Sequence, residues 1–466
     1  MIDTIDFFVV GIYLACVLAV GLWSGRHQHS LTEYAVVNRS FGSTIVFATM
    51  AASFIGGGFS IGLAERVFLF GIASIIGLWG FSLKEILVAT IIAPRLSRFP
   101  NAISVGDIMA TNFGKPGKIV TGVFGMILCA GIVGAQVGGM GYVFNVFLGI
   151  DQLWGIAIGC GIVIVYTTLS GMRGVVITDL FQFVILTIGI PLTLVFGILY
   201  VGGIDAMTAA VPADRLDIPG TDATWISVLM LVLVFALGET LVPPYVQRLC
   251  ISRDAKMAAR GTLFAGLFSI PFFVIAGAIG LVALAIDPTI DGNLSLPHVA
   301  ATALPPIVKG LVIAAVIAIV MSSADSFLNS ASIAFVNDIV NPLRRAPLSA
   351  KNGLKLARLS TLVIGLASVG FAISIASILD ILIYAYTYWA PVVVVPLVAT
   401  VLGWQKGPAA FLGAAGAGIV CAVVWNDVLS KPADIEGIIV GVLANLAVFT
   451  VMPAGIPASV AEAKQP

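Results

Sequence analysis

Between positions 322 and 329 the chain sets five polar side chains, Ser322, Ser323, Asp325, Ser326 and Asn329, into an otherwise apolar run. At helical spacing Ser322, Ser326 and Asn329 stack on one face, with Ser323 and Asp325 beside them. Hydroxyls and a carboxylate are hard oxygen ligands of the kind a small cation takes after losing its water. A lone serine bonding back to its own backbone needs no function, but so dense a polar stripe exceeds that explanation. Asp179 and Gln182 also share a helix face, at i, i+3. Asp179 is either a cation ligand or a helix N-cap worth about 1 kcal/mol, and the sequence weighs the two equally.

Lys84 and Glu85 lie about 18 Å along a third apolar run at 1.5 Å per residue, where a charge costs about 2.5–3.5 kcal/mol. As chain neighbours they point roughly 100° apart, so each is expected to find another partner: Glu65, Arg66, Glu239 or a charged solute. A structural ion-pair network is the equal alternative. Lys84 and the amides of Gly56, Gly57 and Gly58 suit an anionic group such as a carboxylate. Tyr384, Tyr386, Tyr388 and Trp389 read as an interfacial aromatic belt, ahead of a gate over the solute.

The elements that must position these groups are membrane spans. Of 466 residues 59% are hydrophobic and 10% charged, and mean hydropathy is +1.11, whereas a soluble domain is about a quarter charged. No globular core hides so much apolar surface, so a lipid bilayer is the solvent. Runs long enough to cross roughly 30 Å of hydrocarbon fall near 5–24, 41–70, 72–97, 118–148, 152–170, 176–202, 223–247, 257–286, 308–338, 356–377, 379–403, 407–426 and 434–453. The expected fold is thus an all-α polytopic membrane protein with about 13 transmembrane helices. Asp3 and Asp6 stand where a signal peptide carries basic residues, so the first run is expected to remain as a span. With a short tail after about residue 453, no appended signalling domain is expected.

With alternate loops assigned to the cytoplasm, 18 of the 23 basic residues, Arg248 among them, fall inside. Arg215, Lys309 and Lys431 fall outside, and Arg66 and Lys84 lie within spans. That bias puts the N-terminus outside and the C-terminus in the cytoplasm of a cell inner (plasma) membrane. Acidic residues also number 23, so no electrostatic case for nucleic acid exists. The five cysteines are scattered through apolar runs without metal spacing, and read as packing residues.

Two spans carry breaks. Ser53-Phe54-Ile55-Gly56-Gly57-Gly58 sets three glycines at mid-depth, and Gly238-Glu239-Thr240-Leu241-Val242-Pro243-Pro244 loses two amide donors. Single kinks are common in membranes, but paired broken helices in matching positions of two halves point to a transporter site at an inverted-repeat interface. No Gly-x4-Gly-Lys-Ser/Thr supplies a nucleotide site. A membrane-embedded enzyme would need a nucleophile, base or metal set, and His27, His29 and His298, all expected in loops, offer none. A channel is the remaining class, and symmetric breaks favour a carrier over it.

These residues resemble the solute:sodium symporter family over nearly the whole length. The resemblance is carried by 166–182, reading Tyr-Thr-Thr-Leu-Ser-Gly-Met-Arg-Gly-Val-Val-Ile-Thr-Asp-Leu-Phe-Gln, by Met321-Ser322-Ser323-Ala324-Asp325-Ser326 and by Asn337-Asp338-Ile339. It implies a LeuT-like 5+5 inverted-repeat core, with an extra helix before it and two after: residues 1–40, repeat one at 41–202, repeat two at 203–406, and 407–466. By this similarity the main Na+ site uses the carbonyls of Ala52, Ile55 and Ile319 and the hydroxyls of Ser322 and Ser323. A second cation would sit near Asp179, Ser322, Asp325 and Ser326, with a proton as the alternative. Ala52–Phe59, Gly62–Glu65 and Tyr245–Arg248 look most like the high-affinity choline transporter branch. Phe54 and Phe81 supply two walls of an aromatic cage, while Ile132 and Val242 depart from it. By the same resemblance Phe54, Gly57, Phe81, Lys84, Gln136 and Glu239 are expected to line the solute cavity. The expected function is sodium-coupled import of a small polar or carboxylate-bearing solute, with proton coupling or a quaternary amine as alternatives.

Overall fold

The computed structural model of the chain describes residues 3–25, 28–220, 224–372 and 378–455, with side chains 371–384 and 434 left aside. Arg26, His27, Lys464 and the Tyr384 side chain lie outside the described residues. Within them the protein is helical, with no strand and one isolated bridge between Phe41 and Ser252. The principal helices are α1 (Thr4–Ser24), α2 (Ser43–Phe54), α3 (Gly57–Phe70), α4 (Ala73–Leu87), α5 (Val105–Leu148), α6 (Gln152–Tyr200) and α7 (Trp225–Gly238). They continue with α8 (Pro243–Cys250), α9 (Ala255–Ile286), α10 (Val308–Ile333), α11 (Ala350–Ala372), α12 (Ile378–Leu402), α13 (Pro408–Val423) and α14 (Gly437–Val451).

Among the described residues nine helices are long and apolar enough to cross a membrane, or eleven when each bent pair counts as one span. The sequence expectation was thirteen. The difference lies in two places: α14 has only 15 residues, and α6 runs for 49 residues where two spans, 152–170 and 176–202, were expected. Yet α6 is not one regular helix. Gly171 takes φ 50°, ψ −150°, a conformation open to glycine alone, and a Cβ there would stand 2.5 Å from the Tyr34 ring.

Both expected breaks are present. α2 ends at Ile55 (ψ 68°) and α3 restarts at Gly57, with a 50° bend. α7 ends at Glu239, Leu241 takes φ 53°, and α8 restarts on Pro243-Pro244, bent by 52°. Prolines in a first turn cost nothing, because those amides have no helical acceptor. One correction follows from this restart: Arg248, counted with the cytoplasmic loops, lies on α8 and is fully buried. His298, expected in a loop, lies in the short helix Ser295–Ala303.

α10 forms the axis of the bundle, with 94% of its apolar window buried against 28% for α1. That burial on every face explains a helix whose apolar residues show no one-sided pattern. α1 nevertheless fixes it. Asp6, fully buried, accepts from the amides of Ile307 (3.0 Å) and Gly310 (2.9 Å) at the start of α10. Tyr13 accepts from Gln182 Nε2 (3.2 Å) and reaches Met321 Sδ (3.8 Å).

A helix start capped from another helix should respond as an N-cap does. Asp6→Ala is expected to cost about 1–2 kcal/mol, seen as a fall of roughly 2 °C in the melting temperature of the detergent-purified protein. Asp6→Asn, which keeps an acceptor, should recover most of it; equal melting of all three proteins would refute the tether.

Candidate functional site

The broken end of α2 packs against the polar stripe of α10. Ser322 Oγ donates to Ala52 O at 2.7 Å and to Ile319 O at 3.2 Å, and Ser323 Oγ donates to Ser53 O at 2.8 Å. Ala52, Ile55, Ile319, Ser322 and Ser323 are all buried. The unwound turn leaves carbonyls that no helix amide uses, and the serine hydroxyls take them. Ile55 is the residue at which the helix ends, its amide still bonded to Ala51 O at 3.1 Å. Gly56 lets the two segments meet: a Cβ there would lie 2.6 Å from Ser323 Oγ and 3.2 Å from Gln136 Nε2. Carbonyl and hydroxyl oxygens gathered in this way are the donor set a small hard cation takes.

Asp179, Asp325 and Ser326 are also brought together, around a cation the sequence reading had placed elsewhere. Arg248 Nη2 lies 2.8 Å from Asp179 Oδ2 and 2.6 Å from Ser326 Oγ, while its Nε donates to Thr49 O at 3.1 Å. Thr49 also donates to Asp179. Asp325 accepts from Tyr166 and, at 3.0 Å, from Ser326 Oγ. Asp179 therefore caps no helix; it is an interior residue of α6 in a buried ion pair. Asp179 pairs with the guanidinium directly, Asp325 connects to it through Ser326 Oγ, and among the described residues Asp179 Oδ1 has no hydrogen-bond partner. The missed signal was the Pro-Pro restart, which keeps 245–250 helical inside the bundle instead of leaving Arg248 at a span end.

The expected solute-lining residues cluster on the other side of the first break. Phe54 and Phe81 have ring centroids 4.8 Å apart, with Phe59 (5.0 Å) and Tyr245 (6.2 Å) also against Phe81. Gln136 Oε1 accepts from the Gly57 amide at 3.2 Å. Tyr245, which the sequence reading left out of the site, completes an aromatic wall where only Phe54 and Phe81 were expected.

Lys84 corrects another expectation. Its Nζ lies 2.6 Å from Glu85 Oε1, so the chain neighbours do pair, and it also donates to Glu239 O at 3.1 Å. The long flexible stem of lysine swings the ammonium back across the 100° that separates neighbours on a helix. The aromatic run is corrected as well. Tyr386 and Trp389 are fully buried, and Trp389 Nε1 donates to Thr240 O at 3.1 Å in the second break. They face the bundle, not the lipid interface.

Similarity to known proteins agrees with this architecture. Sodium/proline symporter 2 of Staphylococcus saprophyticus is 23% identical over 453 residues, covering 94% of this chain and 84% of the relative. High-affinity choline transporter 1 of Caenorhabditis elegans is 24% identical, covering 81% and 70%. The sodium/glucose cotransporter of Vibrio parahaemolyticus is 26% identical, covering 72% and 68%. In fold, the chain matches a Na+-coupled sialic acid symporter solved in a substrate-bound outward-open state, with TM-score 0.86, 21% identity and coverage of 96% and 97%. A nucleobase-cation-symport-1 family transporter matches at TM-score 0.58 and 13% identity, covering 93% of this chain and 98% of that one. The profile of the sodium:solute symporter family spans residues 34–420, and with the broken helices and their hydroxyl-lined junction already in place, the chain belongs to that family.

Proposed function

We propose that the chain imports a small polar solute, carboxylate-bearing compounds included, by coupling it to sodium influx through alternating access. The observation that carries this reading is the Ser322 hydroxyl on the Ala52 carbonyl, which joins α10 to the unwound end of α2 through oxygen atoms alone. A cation entering there takes Ala52, Ile55 and Ile319 carbonyls and the Ser322 and Ser323 hydroxyls in place of water. Sodium then favours the state in which the two segments are held together, by as much as its affinities for the two states differ. The solute binds among Phe54, Gly57, Phe81, Lys84, Gln136 and Glu239 and closes the outer side.

Repeats at 41–202 and 203–406 carry the two breaks, flanked by 1–40 and 407–466. Thirteen spans result when α6 is divided at Gly171 and α14 is counted, with the N-terminus outside. The charge left by Asp179 and Asp325 against Arg248 gives a second cation, or a proton, a place beside Ser326. The family and the relatives are transporters, which supports carriage over enzyme chemistry.

Ser322→Ala with Ser323→Ala removes two of five oxygen ligands. In proteoliposomes the half-saturating sodium concentration is expected to rise at least about tenfold, and full sodium dependence of counterflow in the double variant would end the assignment. Gly56→Ala tests the same junction through its backbone. Its Cβ must displace Ser323 Oγ, so sodium dependence should weaken on the order of tenfold while the protein still purifies as a monodisperse species; wild-type sodium kinetics would show that the contact is not needed.

A further inference from the structure

Glu239 ends α7 where the second span comes apart, and its carboxylate is buried. The charged groups acting on it are Lys84 and Glu85, both buried as well. One ammonium thus faces two carboxylates in surroundings where an unbalanced charge is costly. Lys84 is already committed: to Glu85 Oε1 at 2.6 Å, to the backbone oxygen of Glu239 at 3.1 Å, and to the Phe81 ring face at 3.7 Å. Its reach stops at the main chain of Glu239. Among the described residues, Oε2 of Glu239 and Oε2 of Glu85 accept no hydrogen bond. The hydroxyls of Tyr245 and Tyr386 act on the Glu239 carboxylate as neutral donors, without closing a formed hydrogen bond among the described residues. Buried polar atoms are nearly always paired; with two neutral hydroxyls and one committed ammonium against two carboxylates, the absent donor is a cationic one.

We propose that the absent donor is an N–H-bearing ammonium of the transported solute, docking between the Glu239 carboxylate and the hydroxyls of Tyr245 and Tyr386. This rests on the carrier reading above and narrows its solute to primary and secondary amines, with or without a carboxylate. A quaternary ammonium is held through ring faces, and Lys84 already occupies the face of Phe81; it also has no N–H to give to Oε2. A solute that is only anionic would add negative charge to a cluster that already has too much.

The test is thermal shift of the purified full-length protein in saturating sodium. The probes are ethanolamine, β-alanine and L-proline, each paired with a compound lacking the N–H: choline, propionate and cyclopentanecarboxylate. At least one amine is expected to raise the melting temperature above the sodium-only value while its partner does not. Glu239→Gln should weaken that amine at least about tenfold, as expected when a buried charge-assisted bond is lost. A partner compound that shifts the protein as much as its amine overturns the proposal, as does a panel without any shift or a Glu239→Gln protein of unchanged affinity. If that variant does not fold, the paired compounds on the wild-type protein decide alone. The shift produced by sodium without solute reports on the α2–α10 junction, so failure of the coupling reading is distinguishable from failure of the amine assignment.

Discussion

Backbone polar groups inside a bilayer must be satisfied within the protein, because hydrocarbon offers no alternative partner. This constraint governs the two places where the chain unwinds at depth. At the first, the carbonyls of Ala52 and Ser53 receive the Ser322 and Ser323 hydroxyls. At the second, the carbonyls of Glu239 and Thr240 receive the Lys84 ammonium and the Trp389 indole. Neither break could persist without donors brought from another helix. The polar stripe of α10, the intramembrane lysine and the inward-facing tryptophan are therefore answers to one requirement.

The positions of the supporting helices follow. α10 must hold its serines against α2, and it is held in turn: by Asp6 of α1 at its start, by Tyr166 of α6 at Asp325, and by Arg248 of α8 at Ser326. α1 contributes nothing to the junction itself, yet it sets the depth of the helix that does. The Gly171 break in α6 has a related effect, since it separates Tyr166 from Thr178 and Asp179 while both segments still face α10.

Much of this was legible from residue types. Three glycines in a row and a Pro-Pro pair announce unwinding whatever the surroundings, because their effect is local to the backbone. The stripe from Ser322 to Asn329 announces a buried partner because so many polar groups close together in one apolar helix exceed what bonding back to its own backbone explains. What sequence did not give was the choice of partner. Lys84 and Glu85 point apart on the helix surface, and only the length of the lysine stem, unconstrained by spacing, lets them meet. Arg248 sits where a span was expected to end, and a basic residue there looks the same whether it anchors at a surface or pairs with Asp179. Tyr386 and Trp389 have the composition of an interfacial belt, and the sequence alone does not say that Gly238 and Gly125 open room for them inside the bundle.

The two breaks, alike in geometry, differ in chemistry because their donors differ. A serine hydroxyl carries lone pairs as well as a proton. When a cation arrives, the proton can turn away, and both the hydroxyl oxygen and the carbonyl it served become ligands. An ammonium and an indole N–H have no lone pair to offer, so the second break cannot be converted in this way and its carbonyls stay engaged. The first break is thereby suited to an ion that comes and goes. The second is a fixed frame, and the group beside it that we propose engages a solute is the Glu239 side chain, on which the Tyr245 and Tyr386 hydroxyls act. An ion at one break and a solute group at the other would then act on the same two-part core through different atoms, which is what coupling requires of a carrier whose sites must sense each other without competing.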